Sequence, residues 1–383
     1  MVFFIDDMNL PYVETYGTQN AIALLTQHMQ YGSIFDRGDL GIRKHLMDIQ
    51  YVAAMNPTAG SFEICQRCQR HFATFAIAMP SASDLNTIFS SLFGGHLRSF
   101  QPAMQDLTGK IVESAISIHE SVSSRFLPSA VRFMYNWNMR ELTNIFQGCC
   151  HAKPDYYIKP ATLARLFIHE TQRVYSDRLV TEEEIQVFDG MFKDVMKKNL
   201  GSIPVEELFQ SPFVYTTFVT TTDGAYLPVP SMERLKTVLE TKLNEYNENN
   251  AMMDLVLFEQ AMLHITRINR IIQNPGGNAM LMGIGGSGNQ SVCRLAAFIS
   301  DYEVKQLAVT SKFKVEDLKE EMRAIYIAKW CQRSANGVFN YRFTDCSRGV
   351  PGVYQWHADK WVDFRSFSKG SHGQHSRFNC QRC

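Results

Sequence analysis

The sequence predicts an α/β fold in which two regions of strands and helices are separated by a long helical segment. Apolar runs at residues 2–5 and 49–55 flank a helical pattern at residues 18–31, and this alternation of strand and helix is typical of α/β proteins. A glycine-rich stretch at residues 283–291 lies between a short apolar run and another helical pattern. Between these regions, residues 103–195 place apolar side chains three and four positions apart, as helices do.

The composition is that of a globular protein large enough for two or three domains. The chain has 383 residues, of which 45% are hydrophobic and 20% charged, and its 38 basic side chains balance its 38 acidic ones. This balance does not indicate binding to nucleic acid or to an anionic membrane. No run approaches the roughly 18 apolar residues of a membrane-spanning helix, and the first residues lack a signal-peptide pattern. We therefore expect a cytoplasmic protein whose partners include neither nucleic acid nor membrane.

The nine cysteines are expected to be reduced thiols of an intracellular protein. Two CxxC pairs, Cys65 with Cys68 and Cys380 with Cys383, could in principle supply four zinc ligands. Most of the chain separates the two pairs, unlike the closely spaced pairs of zinc ribbons. Incidental cysteines are therefore favoured over a structural zinc site.

The first region is predicted to run strand, helix, turn, strand. Residues 2–5 are uniformly apolar, which is expected of a strand buried on both faces. A helix over residues 18–31 leads into a turn region at residues 32–44 that is rich in glycine and aspartate. The second strand, at residues 49–55, ends at Asn56, which a proline follows.

The later region is predicted to begin with a connector. Residues 197–232 carry several prolines and a threonine-rich run, so a domain boundary is expected there. Apolar residues three or four apart between Leu255 and Ile272 predict an amphipathic helix. A strand at residues 279–282 and a helix at residues 292–299 are then predicted on either side of the glycine-rich stretch.

The glycine-rich stretch GIGGSGNQS has the form of a phosphate-binding loop. Such loops lie between a strand and a helix, where backbone N–H groups and the helix dipole attract an anion. Gly283 and Gly288 have the spacing of the two glycines in GxxxxGK, but Asn289 stands where that motif has lysine. Because an amide carries no positive charge, we expect weakened phosphate binding and weak hydrolysis. The predicted nucleotide-binding residues are Gly283, Gly285, Gly286, Ser287, Gly288, Asn289, Gln290 and Ser291.

Ser291 supplies the hydroxyl that is predicted to bind magnesium, one position later than usual. A tight turn from strand to helix that binds nothing would use glycine in the same way. The pattern favours descent from a phosphate loop and leaves open whether this copy binds a nucleotide.

The first strand ends in two acids, Asp6 and Asp7, and this is the form of a Walker B element. In that role Asp6 holds magnesium through its water shell and Asp7 orients the attacking water. Asn56, at the end of the next strand, is placed to reach the same water or the γ-phosphate. An acid pair after a strand often marks only the point where the chain leaves the core, so its context carries the argument.

Arg67 and Arg70, in RCQRHF, are placed like arginine fingers, which reach the nucleotide of a neighbouring module. A surface salt bridge is the alternative for each. With Asp6, Asp7 and Asn56 they make up the catalytic residues that the first region suggests.

Together these segments resemble the motor region of dynein heavy chains, most of all the axonemal class. VFFIDDMNLP, AAMNPTAGSF and RCQRHFATFAIAMP resemble the Walker B, sensor-1 and arginine-finger segments of the family's third AAA module. NMRELTNIFQG resembles its sensor-2 helix, which assigns the sensor arginine to Arg140, and HETQRVYSDRL resembles the following helix of the lid. LVLFEQAMLHITRINRI and GNAMLMGIGGSGNQSVCRLAAFIS resemble the opening helix and the phosphate loop of the fourth module.

The resemblance covers about residues 1–329 and implies AAA-type P-loop modules, with partial parallel sheets flanked by helices and an α-helical lid. The implied domains are the second half of an AAA large subdomain at 1–100, the helical lid at 101–196, a connector at 197–245, the start of the next module at 246–329 and an aberrant tail at 330–383.

For function, the resemblance implies a ring of six AAA modules in one heavy chain, an ATP-driven motor that moves towards microtubule minus ends. The cofactors would be ATP or ADP with Mg²⁺, and the third and fourth modules would bind nucleotide in a regulatory role. The partners would be neighbouring modules of the same chain and, through the full-length protein, intermediate chains, light chains and microtubules. The implied cellular location would be the cytoplasm and cytoskeleton, in the axoneme of a cilium or flagellum.

Departures from the family pattern qualify this expectation. Asn289 replaces the lysine, and the phosphate loop that belongs with Asp6 and Asp7 is absent, so we expect little or no independent ATPase activity. The family pattern stops near residue 330, and we hypothesise that the polar tail is translated out of frame, which the nucleotide sequence would test. The alternative function is a degenerate nucleotide-binding or scaffold module without hydrolysis. A chaperone or remodelling ATPase fits less well, because two unequal modules are joined by a long lid and connector.

Overall fold

The computed structural model describes residues 1–36, 38–56, 64–130, 132–201, 203–220, 223–282, 288–307 and 313–333. The chain divides into two compact units, Met1–Ser81 and Ala82–Cys383. Each unit is described by itself. Residues 334–383 of the predicted tail 330–383 lie outside the described residues.

The first unit is a small α/β arrangement built on two parallel strands. The strands pair in register from Val2 beside Gln50 to Ile5 beside Ala53. Buried Met8, Ile22 and Cys68 form the centre of its small core. In chain order the elements are β1 Val2–Ile5, α1 Asn20–Tyr31, β2 Ser33–Phe35, β3 Arg43–His45, β4 Gln50–Ala53 and α2 Gln66–Gln69. The expected order of strand, helix and strand is therefore confirmed.

Two details of this unit differ from the sequence prediction. The expectation that residues 2–5 are buried on both faces is wrong: Val2 and Phe4 are 60% and 61% exposed, and among the described residues β1 pairs only with β4. The turn region at 32–44 contains an antiparallel hairpin of β2 and β3. Asp36 and Asp39 accept hydrogen bonds from the N–H groups two residues on, at 2.9 and 3.0 Å, and so build its turn.

The second unit is predominantly helical. Its elements are α3 Ala82–Leu97, α4 Pro102–Gln105, α5 Leu107–Arg125, α6 Met139–Cys149, α7 Pro160–Tyr175, a 3₁₀ turn Ser176–Arg178, α8 Glu182–Asn199, α9 Val205–Leu208, β5 Tyr215–Thr216, β6 Leu227–Pro228, α10 Met232–Asn249, α11 Glu259–Gln273, α12 Asn289–Ile299 and α13 Val315–Arg333. The helical pattern predicted for residues 103–195 is confirmed. The predicted connector contains a short antiparallel hairpin of β5 and β6.

The core of this unit follows the periodicity of the sequence. On α5, the side chains of Ile111, Ala115, Ile118 and Val122 are buried, because positions three or four apart lie on one face of a helix. α5 and its neighbours α3, α7 and α8 bury their apolar faces in one cluster. A second cluster joins α10, α11 and α12.

The elements around the glycine-rich stretch depart from the prediction at their ends. The amphipathic helix begins at Glu259, later than the periodicity suggested, and α12 begins at Asn289, earlier than expected. The strand predicted at residues 279–282 is not formed: Met280 is 83% exposed, and the described residues provide no partner strand beside it. In the described part of the chain, no helix has both the length and the apolar character needed to cross a membrane.

Candidate functional site

The acidic end of β1 lies beside the end of β4. Because the strands are parallel, their carboxyl ends meet at one edge, and the Ala54 N–H donates to the Ile5 carbonyl at 2.9 Å. The chain then curls along β4, since the Met8 N–H donates to the Ala54 carbonyl at 3.1 Å. Asp6 and Asp7 are thereby held next to the segment that leads to Asn56, so the structure brings these three predicted residues to one edge.

Asp7 has an unusual backbone conformation. Its φ is 48°, in the left-handed region that side chains other than glycine, asparagine and aspartate rarely adopt. The Asp7 N–H donates to Asp6 Oδ1 at 3.1 Å, and the Asp7 carbonyl accepts from the Leu10 N–H at 3.0 Å. These bonds fix a tight turn in which Asp6 is exposed and Asp7 is half-buried. The carboxylate of Asp6 thus faces solvent, where a hydrated cation can reach it.

A histidine behind the sheet holds this edge in place. His28, on α1, bonds the Leu46 carbonyl through Nε2 at 3.1 Å and the Tyr51 hydroxyl through Nδ1 at 2.9 Å. A carbonyl only accepts, so Nε2 donates and Nδ1 accepts from Tyr51. Burial raises the pKa of Tyr51, so its hydroxyl keeps the proton it donates. Helix α1 is therefore fastened to β4, the strand that leads to Asn56.

The two arginines predicted as fingers lie on or beside α2. Arg67 is within the helix, Arg70 follows its last residue, and both side chains are exposed. An arginine that reaches another module must extend away from its own core, and this exposure meets that requirement. Cys65 and Cys68 at the start of the same segment are free thiols, one exposed and one buried.

The N-terminus of α12 has the geometry of a phosphate-binding end. Gly288 caps the helix with a left-handed φ of 77° and supplies no side-chain acceptor. The first helical bond runs from the Val292 N–H to the Gly288 carbonyl at 3.1 Å, so the N–H groups of residues 289–291 lie outside the helical ladder. Free N–H groups at the positive end of a helix dipole fit a phosphate. The remaining predicted loop residues, Gly283, Gly285, Gly286 and Ser287, lie outside the described residues.

The two predicted magnesium ligands belong to different units. Asp6 offers a carboxylate in the first unit, and Ser291 offers a half-buried hydroxyl in the first turn of α12. Carboxylate and hydroxyl oxygens are donors that suit magnesium, so both fit the ion chemically. Asn289 and Gln290 complete the first turn with neutral amides, so this end of the helix carries no side-chain cation.

Arg140, the predicted sensor, lies in the first turn of α6 with its side chain exposed. Asn138 caps this helix: its side chain accepts from the Arg140 N–H at 2.8 Å. In return, the Glu141 carboxylate accepts from the Asn138 N–H at 2.7 Å, which completes a capping box. The cap fixes the point where the helix starts and hence where Arg140 projects.

Arg178, in the 3₁₀ turn after α7, contacts the same end of α6. Its guanidinium pairs with Glu141 at 2.8 Å, donates to the Asn136 carbonyl at 3.3 Å and lies 5.3 Å from the centre of the Trp137 ring. Glu141 is 3% exposed, so its carboxylate is removed from water, whereas the Arg178 side chain is partly exposed. The segment HETQRVYSDRL, which ends in Arg178 and Leu179, thus positions α6.

A buried ion pair that the sequence did not reveal joins α7 to α11. Glu170 is fully buried and accepts from Arg270 Nε at 3.1 and 3.0 Å and also from its Nη2. Burial would lower the pKa of Arg270, but the charge of Glu170 outweighs it and raises that pKa, so the guanidinium stays charged. The signal was a charged side chain on the apolar face of a helix, between Ile268 and Ile272.

Tyrosine and histidine complete the bonding of this carboxylate. The Tyr226 hydroxyl donates to Glu170 Oε1 at 3.0 Å and therefore accepts from His169 Nε2, 3.1 Å away. Burial, and next the nearby Arg173, lower the pKa of His169 well below its ordinary value, so the ring is neutral. Helix α7, Tyr226 before β6 and helix α11 thus share one buried polar network.

Comparison with known proteins identifies the family. The model of the P-loop containing dynein motor region matches residues 1–80, that of the AAA+ lid domain matches residues 111–210, and that of the P-loop containing dynein motor region D4 matches residues 253–344. The dynein beta chain of the flagellar outer arm from Chlamydomonas reinhardtii is 43% identical over 335 residues, or 85% of this chain and 7% of that protein. The chain belongs to the dynein heavy chain family.

Other dynein relatives agree. The ciliary dynein beta chain of Tripneustes gratilla is 42% identical over 328 residues, and dynein axonemal heavy chain 17 of Homo sapiens is 42% identical over 330 residues. Each match covers 85% of this chain and 7% of the relative, so the chain spans a small part of the proteins it matches. The predicted family, its axonemal class and the fold class of P-loop modules with an AAA+ lid are confirmed. The match to the D4 region continues to residue 344, past residue 330 where the resemblance was expected to stop.

Proposed function

We propose that this chain supplies nucleotide-sensing and ring-communication elements to an ATP-driven, minus-end-directed microtubule motor of a cilium or flagellum. The observation that carries the proposal is the pair of half-sites: an acidic edge at Asp6, Asp7 and Asn56 in one unit, and the glycine-capped N-terminus of α12 in the other. The names of the relatives, which are flagellar, ciliary and axonemal dyneins, support the location in the axoneme.

Within this function the residues take separate roles. Asp6 and Ser291 would hold Mg²⁺ at their respective sites, and the nucleotide with its ion would supply the phosphoryl-transfer chemistry. Asp7 orients water, Asn56 reaches the γ-phosphate, and Arg67 and Arg70 extend to the nucleotide of a neighbouring module. Arg140 senses the nucleotide of its own module from the first turn of α6.

The domain assignment and the wider partners also belong to this proposal. We assign residues 1–100 to an AAA large subdomain, 101–196 to its lid, 197–245 to a connector, 246–329 to the next module and 330–383 to an aberrant tail, of which residues 330–344 still fall within the D4 match. The partners are neighbouring AAA modules and, through the full-length heavy chain, intermediate chains, light chains and microtubules.

A scaffold role without hydrolysis is the second candidate, and Asn289 favours it. The residue occupies the first position of α12, directly after the glycine cap, where a phosphate loop has its lysine. Without that charge the loop retains backbone donors, the hydroxyls of Ser287 and Ser291, and the amides of Asn289 and Gln290. The proposed functions therefore differ in whether this end of α12 still binds a nucleotide.

Binding of labelled ATP to the chain and to its Asn289→Lys variant separates them. A lysine at this position adds a charge-assisted hydrogen bond of about 1.5–3 kcal/mol, so we expect the variant to bind about tenfold more tightly or better. Gln290→Lys is the matched control, because it adds the same charge one residue later. Equal gains from both lysines would show unspecific attraction, and the absence of binding in all three proteins would favour the scaffold role.

A further inference from the structure

Helix α6 connects the predicted sensor to the segment that precedes the next phosphate loop. The helix has 11 residues and is therefore about 16 Å long. Its first turn carries Arg140, and its last turn ends at Cys149. Both ends are fixed by side-chain bonds to other elements of the second unit, and the contacts at the C-terminal end lead to α11.

The C-terminal end of α6 bonds directly to the end of α11. His151 Nε2 donates to the side-chain oxygen of Asn274 at 2.6 Å, and the Gln147 amide donates to the Pro275 carbonyl at 3.4 Å. Asn274 is the C-cap residue directly after α11, and its N–H donates to the Arg270 carbonyl at 3.2 Å. A shift of α6 therefore pulls on the last turn of α11.

Glu170 provides a second connection between the same two helices. A Cβ atom on Gly148 would lie 1.8 Å from Glu170 Oε2, so the backbone of α6 rests against this carboxylate. The other side of the carboxylate is bound to Arg270 of α11. Glu170 thus lies against the backbone of α6 and is bonded to α11.

The turn after α11 is itself tightly folded. Gly276 has a left-handed φ of 66°, and a Cβ atom on Gly277 would lie 1.9 Å from the Ile271 carbonyl oxygen. The Gly277 N–H donates to the Asn274 carbonyl at 3.0 Å. Gly277 leaves no room for a Cβ atom, and the φ of Gly276 favours glycine, so the turn packs closely against the end of the helix.

Helix α11 in turn positions α12. Ile265, Ile268 and Ile272 pack in one cluster with Val292 and other apolar residues of α12. The Asn269 amide donates to the Ser300 hydroxyl, just beyond α12, at 2.8 Å. The phosphate-binding end of α12 is consequently fixed relative to α11.

We propose that α6 acts as a strut that transmits the state of the nucleotide sensed by Arg140 to the phosphate-binding end of α12, with His151, Gln147 and Glu170 as positioning residues. This inference rests on the proposed function, because it requires Arg140 to respond to nucleotide. It adds the route: α6 to the end of α11, and α11 to α12. The hydrogen bonds of His151 and Gln147 couple a shift of α6 to the end of α11, and Glu170 opposes sliding of α6 relative to α11.

Hydrogen exchange in the dynein motor that contains this segment tests the route. A Ser291→Glu background keeps nucleotide off α12, because the carboxylate repels phosphate while a first-turn acid suits the helix dipole. In that background, ATPγS should slow exchange both in α6, residues 139–149, and at residues 270–277. Adding His151→Ala with Gln147→Ala should reduce the second response at least threefold and leave the first.

Two further variants sharpen the test. Thr143 lies on the exposed side of α6, and its hydroxyl donates to the Met139 carbonyl of the same helix, so Thr143→Ala should keep both responses. Arg140→Ala should remove both. As a control for folding, the hydrogen-exchange rate of the buried helix α5 without nucleotide should be the same in every variant.

The failures of the two proposals look different. The strut proposal is wrong if residues 270–277 respond fully to ATPγS in the double variant. It is also wrong if α6 responds in the Ser291→Glu background and residues 270–277 do not. In both cases the proposed sensing function is unaffected. If neither segment responds to ATPγS in the background, Arg140 does not sense nucleotide, and both proposals fall.

Discussion

At the scale of single residues, the second unit depends on polar groups placed where the sequence pattern shows apolar ones. Glu170 and Arg270 are buried on faces that otherwise pack apolar side chains, and Glu141 is buried at the start of α6. A buried carboxylate is tolerated only when its oxygens are bonded, and Arg270 and Tyr226 meet this need for Glu170. Such residues specify how helices are arranged, beyond what apolar burial alone requires.

Gly148→Ala tests the close approach of α6 to Glu170. The new Cβ would lie 1.8 Å from Glu170 Oε2, so either the helices separate or the ion pair with Arg270 is disturbed. Overpacking costs about 1–3 kcal/mol, and a broken buried pair about 3–5 kcal/mol, so we expect a loss of about 1–5 kcal/mol. Urea unfolding followed by circular dichroism measures it.

Gly190→Ala is the matched control, because Gly190 lies inside α8 with nothing within 4 Å of its added Cβ. The same change there should stabilise the protein by about 0.5–1 kcal/mol, since alanine favours helix. Equal effects at the two glycines would show that Gly148 is an ordinary helical position.

At the scale of elements, local pattern predicted most helices and failed where structure depends on distant partners. The periodicity of α5 and the acids after β1 are local features, and both were found from sequence. The burial of β1 and the pairing of residues 279–282 depend on partners elsewhere in the fold. The periodicity of a segment carries no information about whether those partners are present. The same limit explains why Asp6 and Asn56 could be predicted as site residues from local pattern, whereas the bonds from α6 to α11 could not be predicted.

The cap of α6 gives a prediction for a single element. Asn138→Ala removes the side-chain acceptor of the Arg140 N–H and should cost about 1 kcal/mol of stability. Asn136→Ala is its control: the exposed side chain is lost, but the backbone carbonyl that accepts from Arg178 remains. The control should change the free energy of unfolding by less than about 0.5 kcal/mol. A cap variant as stable as the control in thermal unfolding would contradict the assigned role.

At the scale of the whole molecule, the second unit buries imidazoles whose protonation the fold opposes. Burial lowers the pKa of His119, against the opposing charges of Glu141 and Glu120, and lowers that of His169 well below its ordinary value. Below about pH 6.5 the unfolded chain binds protons that the folded chain does not. The stability that these neutral imidazoles contribute is therefore fully present above that pH and is lost as the pH falls below it.

His169→Gln tests this linkage, because glutamine can still donate to the Tyr226 hydroxyl and does not titrate. One imidazole that stays neutral in the folded state costs about 1.4 kcal/mol per pH unit below its unfolded pKa, so the variant should lose less stability between pH 7 and pH 5 than the wild type. Urea unfolding at pH 7, 6 and 5 measures the difference, with His45→Gln on the exposed β3 as control. Because the control replaces a histidine that the fold leaves in water, it should keep the wild-type slope. Parallel slopes for all three proteins would mean that the buried ring of His169 does not govern the acid sensitivity of this network.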